Sequence, residues 1–398
     1  MNPFRHIPRL LIVAVCTVAG LTLLAGAAGA VTPCPQDFGS FAAGHWPGAC
    51  WRPYGPNSPF NKQLPVDPRL AADSGAMIGH MRTQGWHFEG GGSKFAFISP
   101  GRGAVYYSRP NDPLVRIQCT YHWGQGTCQG DDGVSLDGKS IRVPADARPQ
   151  NASDQHMTIV DQSNNMEYDF EHAEQSSDRS TLIVWAGGET HIGPNSGTGL
   201  GVPSTAASFA TIAGLIRAPE LQAGSIHHAL VASIPCTQGA VWPAKGPWGF
   251  DCKELGQSPG GNQVAPHMGT LLQLNMSDAQ IGATRAPSWQ RTIMAAMAHY
   301  GIYVNDTNGS GDPNTIELEK ESDLTYTAVG GQPQMANTMK RLGASYWAPS
   351  DRWILSGLPI SLSKLRVVDP CVARGTCPSG PAAKIASRHR AQKRPRHH

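Results

Sequence analysis

Alternation of apolar and polar positions is clearest in two neighbouring segments of the chain. Residues 156–161 and 166–172 both alternate, and the four polar residues 162–165 separate them. Period-two alternation on both sides of a short polar connection predicts a β-hairpin. The length of the turn fixes the register of the two strands. A slip of one residue would exchange the two faces of the hairpin. The apolar face then carries two pairs: Ile159 with Tyr168, and Met157 with Phe170.

Most of the remaining chain consists of short apolar runs broken by glycine and proline, a pattern typical of strands joined by turns. We therefore predict a mainly β protein, with one large β-sandwich or jelly-roll-like domain and two or three peripheral helices. Two packed β domains are the alternative. Apolar residues recur at helical spacing in residues 71–81, 204–217, 289–300 and 333–342, and residues 226–234 form a long apolar run typical of a strand.

Composition agrees with this pattern. The chain has 398 residues, of which 45 are glycine and 32 are proline, and charged residues make up only 15%. Frequent glycine and proline exclude coiled coils and helical repeats, which need long uninterrupted helices. Apolar residues make up 40% of the chain, which is enough to build a hydrophobic core.

The first 30 residues have the three parts of a secretory signal peptide. Arg5 and Arg9 precede the apolar run 10–24, and the small residues 28–30 form a cleavage site. The alternative is an uncleaved membrane anchor, but the run is short for a span of about 20 residues. We predict a signal peptide at 1–30, a secreted β-rich domain at 31–379 and no stable membrane insertion.

Charge is distributed unevenly along the chain. Two positive charges lie in residues 1–30 and six in residues 384–398, so the overall charge of +3 becomes −5 for residues 31–383. An acidic body of this kind argues against nucleic acid as a partner. We interpret residues 380–398 as a basic, His-rich disordered tail. Its alternative interpretation is electrostatic attraction to an anionic cell envelope or polyanion.

Eight cysteines remain after Cys16 is removed with the signal peptide. An even number in an exported chain predicts disulfide bonds. Zinc binding is the alternative, but no CxxC spacing occurs. The cysteines fall into local pairs, from which we predict Cys34–Cys50, Cys119–Cys128, Cys236–Cys252 and Cys371–Cys377.

The second face of the hairpin carries candidate acid–base residues. The register pairs Thr158 with Asp169 and His156 with Glu171, and cross-strand Cβ atoms lie about 4.5–5.5 Å apart. A carboxylate at this distance orients an imidazole and raises its pKa. This polar face is either a solvated sheet surface or the floor of a ligand cleft. Tyr168 is a weaker partner, because the register turns it inward.

The adjacent histidines His227 and His228 offer a further candidate acid–base group, in addition to His156 and Glu171. Strand alternation sends His227 and His228 to opposite faces, and a single strand histidine is most often structural. His228 together with His156 would form a two-histidine site. A divalent metal could bind there if a carboxylate joined them, and we predict no other cofactor.

Five further residues are candidate ligand contacts. The glycines at 187 and 188 follow Trp185 and allow the loop to approach a ligand at short range. Trp185 or Trp242 could stack on a sugar ring. A core role for the tryptophans and a turn role for Asp306 are the alternatives. No GxSxG, HExxH, P-loop or dinucleotide-binding motif is present. The candidates are Thr158, Trp185, His191, Trp242 and Asp306.

Several segments together resemble a family of exported, largely uncharacterised actinobacterial proteins. The resemblance covers most of residues 58–306, implies a single exported β-rich domain and favours His228 over His227. It implies no established activity. The matching segments are Ser58-Pro59-Phe60-Asn61, His156-Met157-Thr158-Ile159-Val160-Asp161, Tyr168-Asp169-Phe170-Glu171-His172-Ala173, Gly214-Leu215-Ile216-Arg217, Ile226-His227-His228-Ala229-Leu230, Trp242-Pro243-Ala244, Trp289-Gln290-Arg291 and Tyr300-Gly301.

The sequence therefore favours a secreted, monomeric, carbohydrate-active protein that acts on an extracellular polysaccharide by lyase- or glycosidase-like acid–base chemistry. The predicted catalytic set is His156, Glu171, His228, Tyr168 and Asp169. The first alternative is a non-catalytic protein that binds the cell envelope or a glycan. A second is a purely structural secreted protein.

Overall fold

A computed structural model describes most of the chain between residues 47 and 380. The described residues are 37–38, 47–86, 97–124, 126–130, 132–150, 153–193, 195, 197–309, 315–320, 334–347, 352–355 and 357–380. The predicted signal peptide, Cys34 and all of the predicted tail except Gly380 lie outside them. The described residues all belong to a single compact unit.

The architecture is mainly β, as the sequence predicts. Short strands dominate because β-branched and aromatic residues alternate between turns rich in glycine and proline. In the described ranges the strands are β1 (Asp37–Phe38), β2 (Trp51–Arg52), β3 (Phe97–Ser108), β4 (Leu114–Cys119), β5 (Ser140–Arg142), β6 (Met157–Asp161), β7 (Met166–Glu171), β8 (Glu174–Gln175), β9 (Thr181–Val184), β10 (Ala186–His191), β11 (Leu230–Ile234), β12 (Leu271–Leu274), β13 (Ile302–Thr307), β14 (Thr315–Lys320), β15 (Ser345–Trp347), β16 (Arg352–Ile354) and β17 (Leu365–Val367).

Nine of these strands form one mixed sheet, in the order β10-β7-β6-β3-β14-β11-β13-β12-β17. Its pairs β6–β3, β3–β14 and β11–β13 are parallel, and the others are antiparallel. A second, four-stranded sheet has the order β5-β4-β9-β8. The chain passes directly from β9 in the second sheet to β10 at the edge of the first, with Trp185 between them.

Helices connect and flank the strands. The predicted helices at 71–81, 289–300 and 333–342 are confirmed as α1, α4 and α5. Within the described ranges no helix combines the length and apolar character needed to cross a membrane. The helices are α1 (Ser74–Thr83), α2 (Ala218–Ala223), α3 (Asp278–Gly282), α4 (Ser288–His299), α5 (Gln334–Arg341) and α6 (Pro370–Arg374).

The predicted helix at 204–217 is wrong, because this segment runs as successive turns. An α-helix needs each amide to donate to the carbonyl four residues earlier. Here the Thr211 and Ile212 amides donate instead to side-chain carboxylates of β7. Gly214 also has a φ of +83°, which a helix excludes. We call residues 204–217 the capping loop, because it covers the polar face of the hairpin.

Aromatic contacts fix the capping loop to the large sheet. Phe209 of the loop makes edge-to-face contacts with Phe60, at 5.2 Å between ring centroids, and with Tyr303 of β13, at 6.0 Å. Phe60 belongs to the short 3-10 helix Pro59–Asn61, and its carbonyl accepts the Ala229 amide at 2.7 Å. The segment around Phe60 therefore joins the loop to β11 and β13.

Three of the predicted disulfides are present: Cys119–Cys128, Cys236–Cys252 and Cys371–Cys377. Each closes a loop within its own region of the chain, with separations of 9, 16 and 6 residues. The prediction for Cys34–Cys50 involves a residue outside the described ranges.

Candidate functional site

The hairpin has the register that the alternation predicts. Strands β6 and β7 are antiparallel, and Met157 pairs with Phe170, Thr158 with Asp169 and Asp161 with Met166. The four-residue turn at 162–165 therefore has the predicted length. The two apolar pairs, Met157–Phe170 and Ile159–Tyr168, and the polar pair Thr158–Asp169 lie within the ladder and are confirmed. His156 precedes β6, so its pairing with Glu171 stays a prediction.

The polar face of this hairpin is buried, so its interpretation as a solvated surface is wrong. Glu167 has 0% of its surface exposed and Asp169 has 1%, and Thr158 is equally buried. A charged group almost never reaches this burial unless it is paired or hydrogen bonded. The capping loop excludes solvent here and supplies two of the hydrogen-bond donors that the carboxyl groups need.

Every oxygen of the two carboxyl groups has a hydrogen-bond partner. Glu167 Oε2 accepts from the Tyr54 hydroxyl at 2.6 Å, and Oε1 accepts from the Ile212 amide at 2.9 Å. Asp169 Oδ1 accepts from Thr158 Oγ1 at 2.7 Å, and Oδ2 accepts from the Thr211 amide at 3.2 Å. These bonds join β6, β7, the capping loop and the segment before α1.

We call Glu167 and Asp169 the carboxyl pair. Burial raises the pKa of Glu167 well above its ordinary value, and the adjacent negative charge of Asp169 raises it further. Burial also raises the pKa of Asp169, although bonds from Thr158 and Thr211 oppose this effect. Two neighbouring carboxyls in a low dielectric cannot both ionise cheaply. This environment therefore favours the protonated form of Glu167, whose pKa burial and the charge of Asp169 both raise.

A second buried cluster surrounds His228. Glu220 Oε1 lies 3.0 Å from His228 Nε2 and 2.5 Å from an Arg217 guanidinium nitrogen. His228 Nδ1 lies 2.9 Å from the Ala229 carbonyl oxygen. Since both ring nitrogens face acceptors, the ring makes both contacts as hydrogen bonds only when each nitrogen carries hydrogen.

Glu220 remains ionised within this cluster. Burial alone would raise its pKa, but the Arg217 guanidinium and then His228 attract the carboxylate and lower the pKa below its ordinary value. Arg217 also donates to the Gly48 and Trp51 carbonyls, at 3.2 and 2.5 Å. The cluster therefore holds the segment before β2, the start of α2 and the approach to β11 together.

His228 is thus separate from the carboxyl pair and bonds to Glu220. Strand β11 begins at Leu230, so the predicted strand from 226 is four residues too long at its start. The adjacent His227 is half-buried. Its pKa is lowered by burial and then by the charge of Arg52. The structure favours His228 as the residue with a defined carboxylate partner.

The other predicted catalytic residues lie around the hairpin. His156 is buried one residue before β6, with its Nε2 4.0 Å from an Asp154 carboxylate oxygen. Glu171 is buried at the end of β7. Tyr168 lies on the opposite face from Asp169, as the register predicts, and its hydroxyl accepts from Asn164 Nδ2 at 3.0 Å. Its pKa is raised by burial and then by Glu189.

Three of the predicted ligand residues have mainly structural surroundings. Thr158 bonds to Asp169, as above. Asp306 is buried within β13, which extends beyond the predicted strand, and accepts from the Ala206 and Thr307 amides at 3.2 and 2.6 Å. Trp242 is half-buried, and the Arg374 guanidinium lies 4.7 Å from its ring centroid. His191 is exposed at the end of edge strand β10.

Trp185 is part of a surface aromatic cluster. His122 and His172 both stack on its indole, each with ring centroids 3.9 Å apart. Two imidazoles at this distance would overlap if they lay on one face, so they lie on opposite faces of the indole. Trp123 packs edge-on against the stack at 5.9 Å. His122 is exposed and the other three rings are half-buried. We call these four residues the aromatic stack.

A groove of about 440 Å³ adjoins the aromatic stack along the chain. His172 of the stack is followed directly by Ala173 and Glu174, which line the groove. Its lining also includes Arg148, Arg179 and three glutamines, Gln150, Gln155 and Gln175. The lining of the groove therefore begins one residue after His172 of the stack.

Metal binding has no defined centre in the part of the chain that the structure describes. No group of three or more histidine, cysteine or acidic side chains there has an arrangement suited to a metal ion. The two-histidine site of His156 and His228 stays a prediction.

Sequence reasoning missed Glu167 although a signal was present. Alternation places Glu167 on the same face as Asp169, two residues away. Arg217 and Glu220 also had a local signal, since proline and glutamate at the second and third helical positions mark a helix start. Nothing local relates Glu220 to His228, or Tyr54 to Glu167, because these contacts depend on tertiary packing.

Comparisons with protein families, with characterised proteins and with solved structures find no match to this chain.

Proposed function

We propose that this protein recognises an extracellular polysaccharide at the surface formed by the aromatic stack and the groove beside it. The observation that carries the proposal is the aromatic stack itself, in which an exposed imidazole continues a stack of half-buried rings. Aromatic rings beside convergent polar groups are typical of small-molecule sites. Sugar rings offer the matching chemistry, with an apolar face for the rings and hydroxyls for the glutamine amides.

The exposed ring of the stack gives a direct test of this proposal. Replacing His122 with alanine should lower the affinity for a polysaccharide that binds the unaltered protein. The expected loss is roughly two- to tenfold, the range for one aromatic contact. His122→Phe keeps an aromatic surface and should preserve most of the affinity. Affinity electrophoresis through a panel of neutral and anionic polysaccharides would measure both variants.

Phe250 provides a matched control for the loss of an exposed aromatic ring. Its side chain is 47% exposed and lies outside the stack. Phe250→Ala should bind as the unaltered protein does. Equal retention of the unaltered protein, His122→Ala and Phe250→Ala would contradict the proposed site, and retention by no polysaccharide would contradict the function.

A lyase- or glycosidase-like activity is a second proposal, favoured by the carboxyl pair. A carboxyl that keeps its proton beside an ionised partner is the arrangement that acid–base catalysis uses. Both groups are enclosed, so this function requires the capping loop to open for substrate. His156, Glu171 and His228 retain their proposed roles as additional acid–base groups, with Tyr168 as a weaker one.

Product formation distinguishes the second proposal from binding alone. Incubation with polysaccharides should release reducing ends or unsaturated products, and Asp169→Asn should lower the rate by about 10²-fold or more. A His156→Ala/His228→Ala double variant tests the histidines in the same assay. Glu254→Gln is the control, since Glu254 is an exposed carboxylate outside the hairpin and the groove. Undiminished turnover in Asp169→Asn would remove the carboxyl pair from the mechanism.

A further inference from the structure

Two arginines converge in the groove beside the aromatic stack. Arg148 Nη1 donates to the Ala147 carbonyl at 2.7 Å, and Arg179 Nη2 donates to the same oxygen at 3.0 Å. Two guanidiniums that share one acceptor lie close together. Within the ranges that the structure describes, neither forms an ion pair with a carboxylate. The groove thus holds two neighbouring positive charges, which Asp146, acting on Arg179 at longer range, and Glu174 in the groove lining offset only in part.

The protein fixes both arginines in place. The Tyr106 hydroxyl donates to the Arg148 carbonyl at 2.8 Å and accepts from the Arg148 amide at 2.9 Å, which ties this residue to the buried strand β3. Arg179 lies at the tip of the turn between β8 and β9, with a φ of +61°. A non-glycine residue disfavours this conformation, and such residues concentrate at functional sites.

The electrostatics of the pair favour an anionic ligand. Burial lowers the pKa of Arg179, and the charge of Arg148 lowers it further, so each cation is unfavourable to its neighbour. A bound anion would relieve this repulsion. Guanidiniums match planar carboxylates and tetrahedral oxyanions with paired hydrogen bonds. Glu174 also lines the groove, and its negative charge, like that of Asp146 near Arg179, opposes an anion, so binding depends on contact with both guanidiniums.

We propose that Arg148 and Arg179 bind an oxyanion carried by a sugar residue, either a uronate carboxylate or a sulfate ester. This inference rests on the proposed function, because it names the class of polysaccharide that the surface recognises. The glutamine amides of the groove would hold the sugar hydroxyls, while the adjacent aromatic stack contacts the next ring of the chain.

Isothermal titration with three oligosaccharides tests this inference: an oligogalacturonate, a sulfated oligosaccharide and a neutral oligoglucan. The unaltered protein should bind at least one anionic probe more tightly than the neutral one. The tighter of the two anionic probes identifies the oxyanion. An Arg148→Gln/Arg179→Gln double variant should bind it about a hundredfold more weakly, about tenfold for each lost guanidinium.

Two further variants make the test specific. Arg148→Lys/Arg179→Lys keeps both charges but lacks the planar fork, and should lose an intermediate part of the affinity. Arg82→Gln removes one exposed charge from α1, outside the groove, and should change nothing. Circular dichroism of each variant would confirm that the fold is retained.

Failure of this inference is distinguishable from failure of the proposed function. Tight binding of the neutral probe, unchanged in the Arg148→Gln/Arg179→Gln variant, would overturn the oxyanion site while the proposed function stands. An equal loss of affinity in Arg82→Gln would show non-specific attraction and would also overturn the site. Absence of binding by all three probes would overturn both proposals.

Discussion

Replacing Glu220 with alanine should lower the free energy of unfolding by about 3–5 kcal/mol, the typical cost of removing one partner from a buried ion pair. Arg217 and His228 would remain buried without the carboxylate that both contact. The alanine side chain would also leave space next to α2. Urea denaturation at pH 7, with an unchanged dependence on urea concentration, would measure the loss.

The pH dependence of this variant tests the same contact independently. Because the folded pKa of Glu220 is lowered, its contribution is complete above the ordinary value and is lost as the pH falls through the folded value. The unaltered protein should therefore lose stability below about pH 4.5. Glu220→Ala lacks this part of the acid sensitivity. Glu220→Gln keeps the shape and one acceptor, and should be intermediate at pH 7.

Glu254 supplies the matched control, since it is an exposed glutamate two residues after Cys252. Glu254→Ala should change stability by less than about 0.5 kcal/mol, as surface substitutions usually do. If Glu220→Ala behaved in the same way, the Arg217–Glu220–His228 cluster would have no role in holding the fold.

Replacing Glu167 with alanine should cost about 2–6 kcal/mol, because it leaves two buried donors, the Tyr54 hydroxyl and the Ile212 amide, without their acceptor at about 1–3 kcal/mol each. Glu167→Gln should be far milder. The amide keeps an acceptor for Ile212 and resembles the protonated acid in shape and charge. Thermal and urea unfolding of the two variants at the same pH would measure the difference.

The carboxyl pair also predicts the opposite pH dependence from that of Glu220. A raised folded pKa stabilises the protein below the ordinary value of 4.5, and this contribution is lost as the pH rises through the folded value. The unaltered protein should therefore lose stability relative to Glu167→Gln as the pH increases from about 4.5. Parallel stability profiles for the two proteins would show that the pair holds no proton.

The local pattern determined much of the hairpin. Alternation gave the strands, and the length of the turn gave the register, so the pairing of Thr158 with Asp169 was predictable. Helix α4 was equally predictable from its stripe of apolar residues. Among the described residues, no side-chain acceptor competes there for the backbone amides of the helix. These features depend on residues that are close in sequence, so a single sequence is enough to predict them.

The capping loop shows why the rest was not predictable. Its apolar spacing favours a helix, but the amides of Thr211 and Ile212 bond to carboxylates more than 40 residues away. A bond to a buried carboxylate, such as that from Thr211 to Asp169, is stronger than an ordinary amide–carbonyl bond, so tertiary contacts overcome a weak local propensity. The same contacts convert the polar face from a surface into an interior.

The sequence by itself therefore determined the β architecture, the local disulfides and the face on which each hairpin residue lies. Only the tertiary structure decided which of those residues are enclosed and which groups meet. It placed His228 with Glu220, enclosed Glu167 beside Asp169, and brought Arg148 and Arg179 to one carbonyl oxygen. Periodicity records the direction of a side chain along its own strand, whereas burial, charge pairing and pKa depend on segments that arrive from elsewhere in the chain.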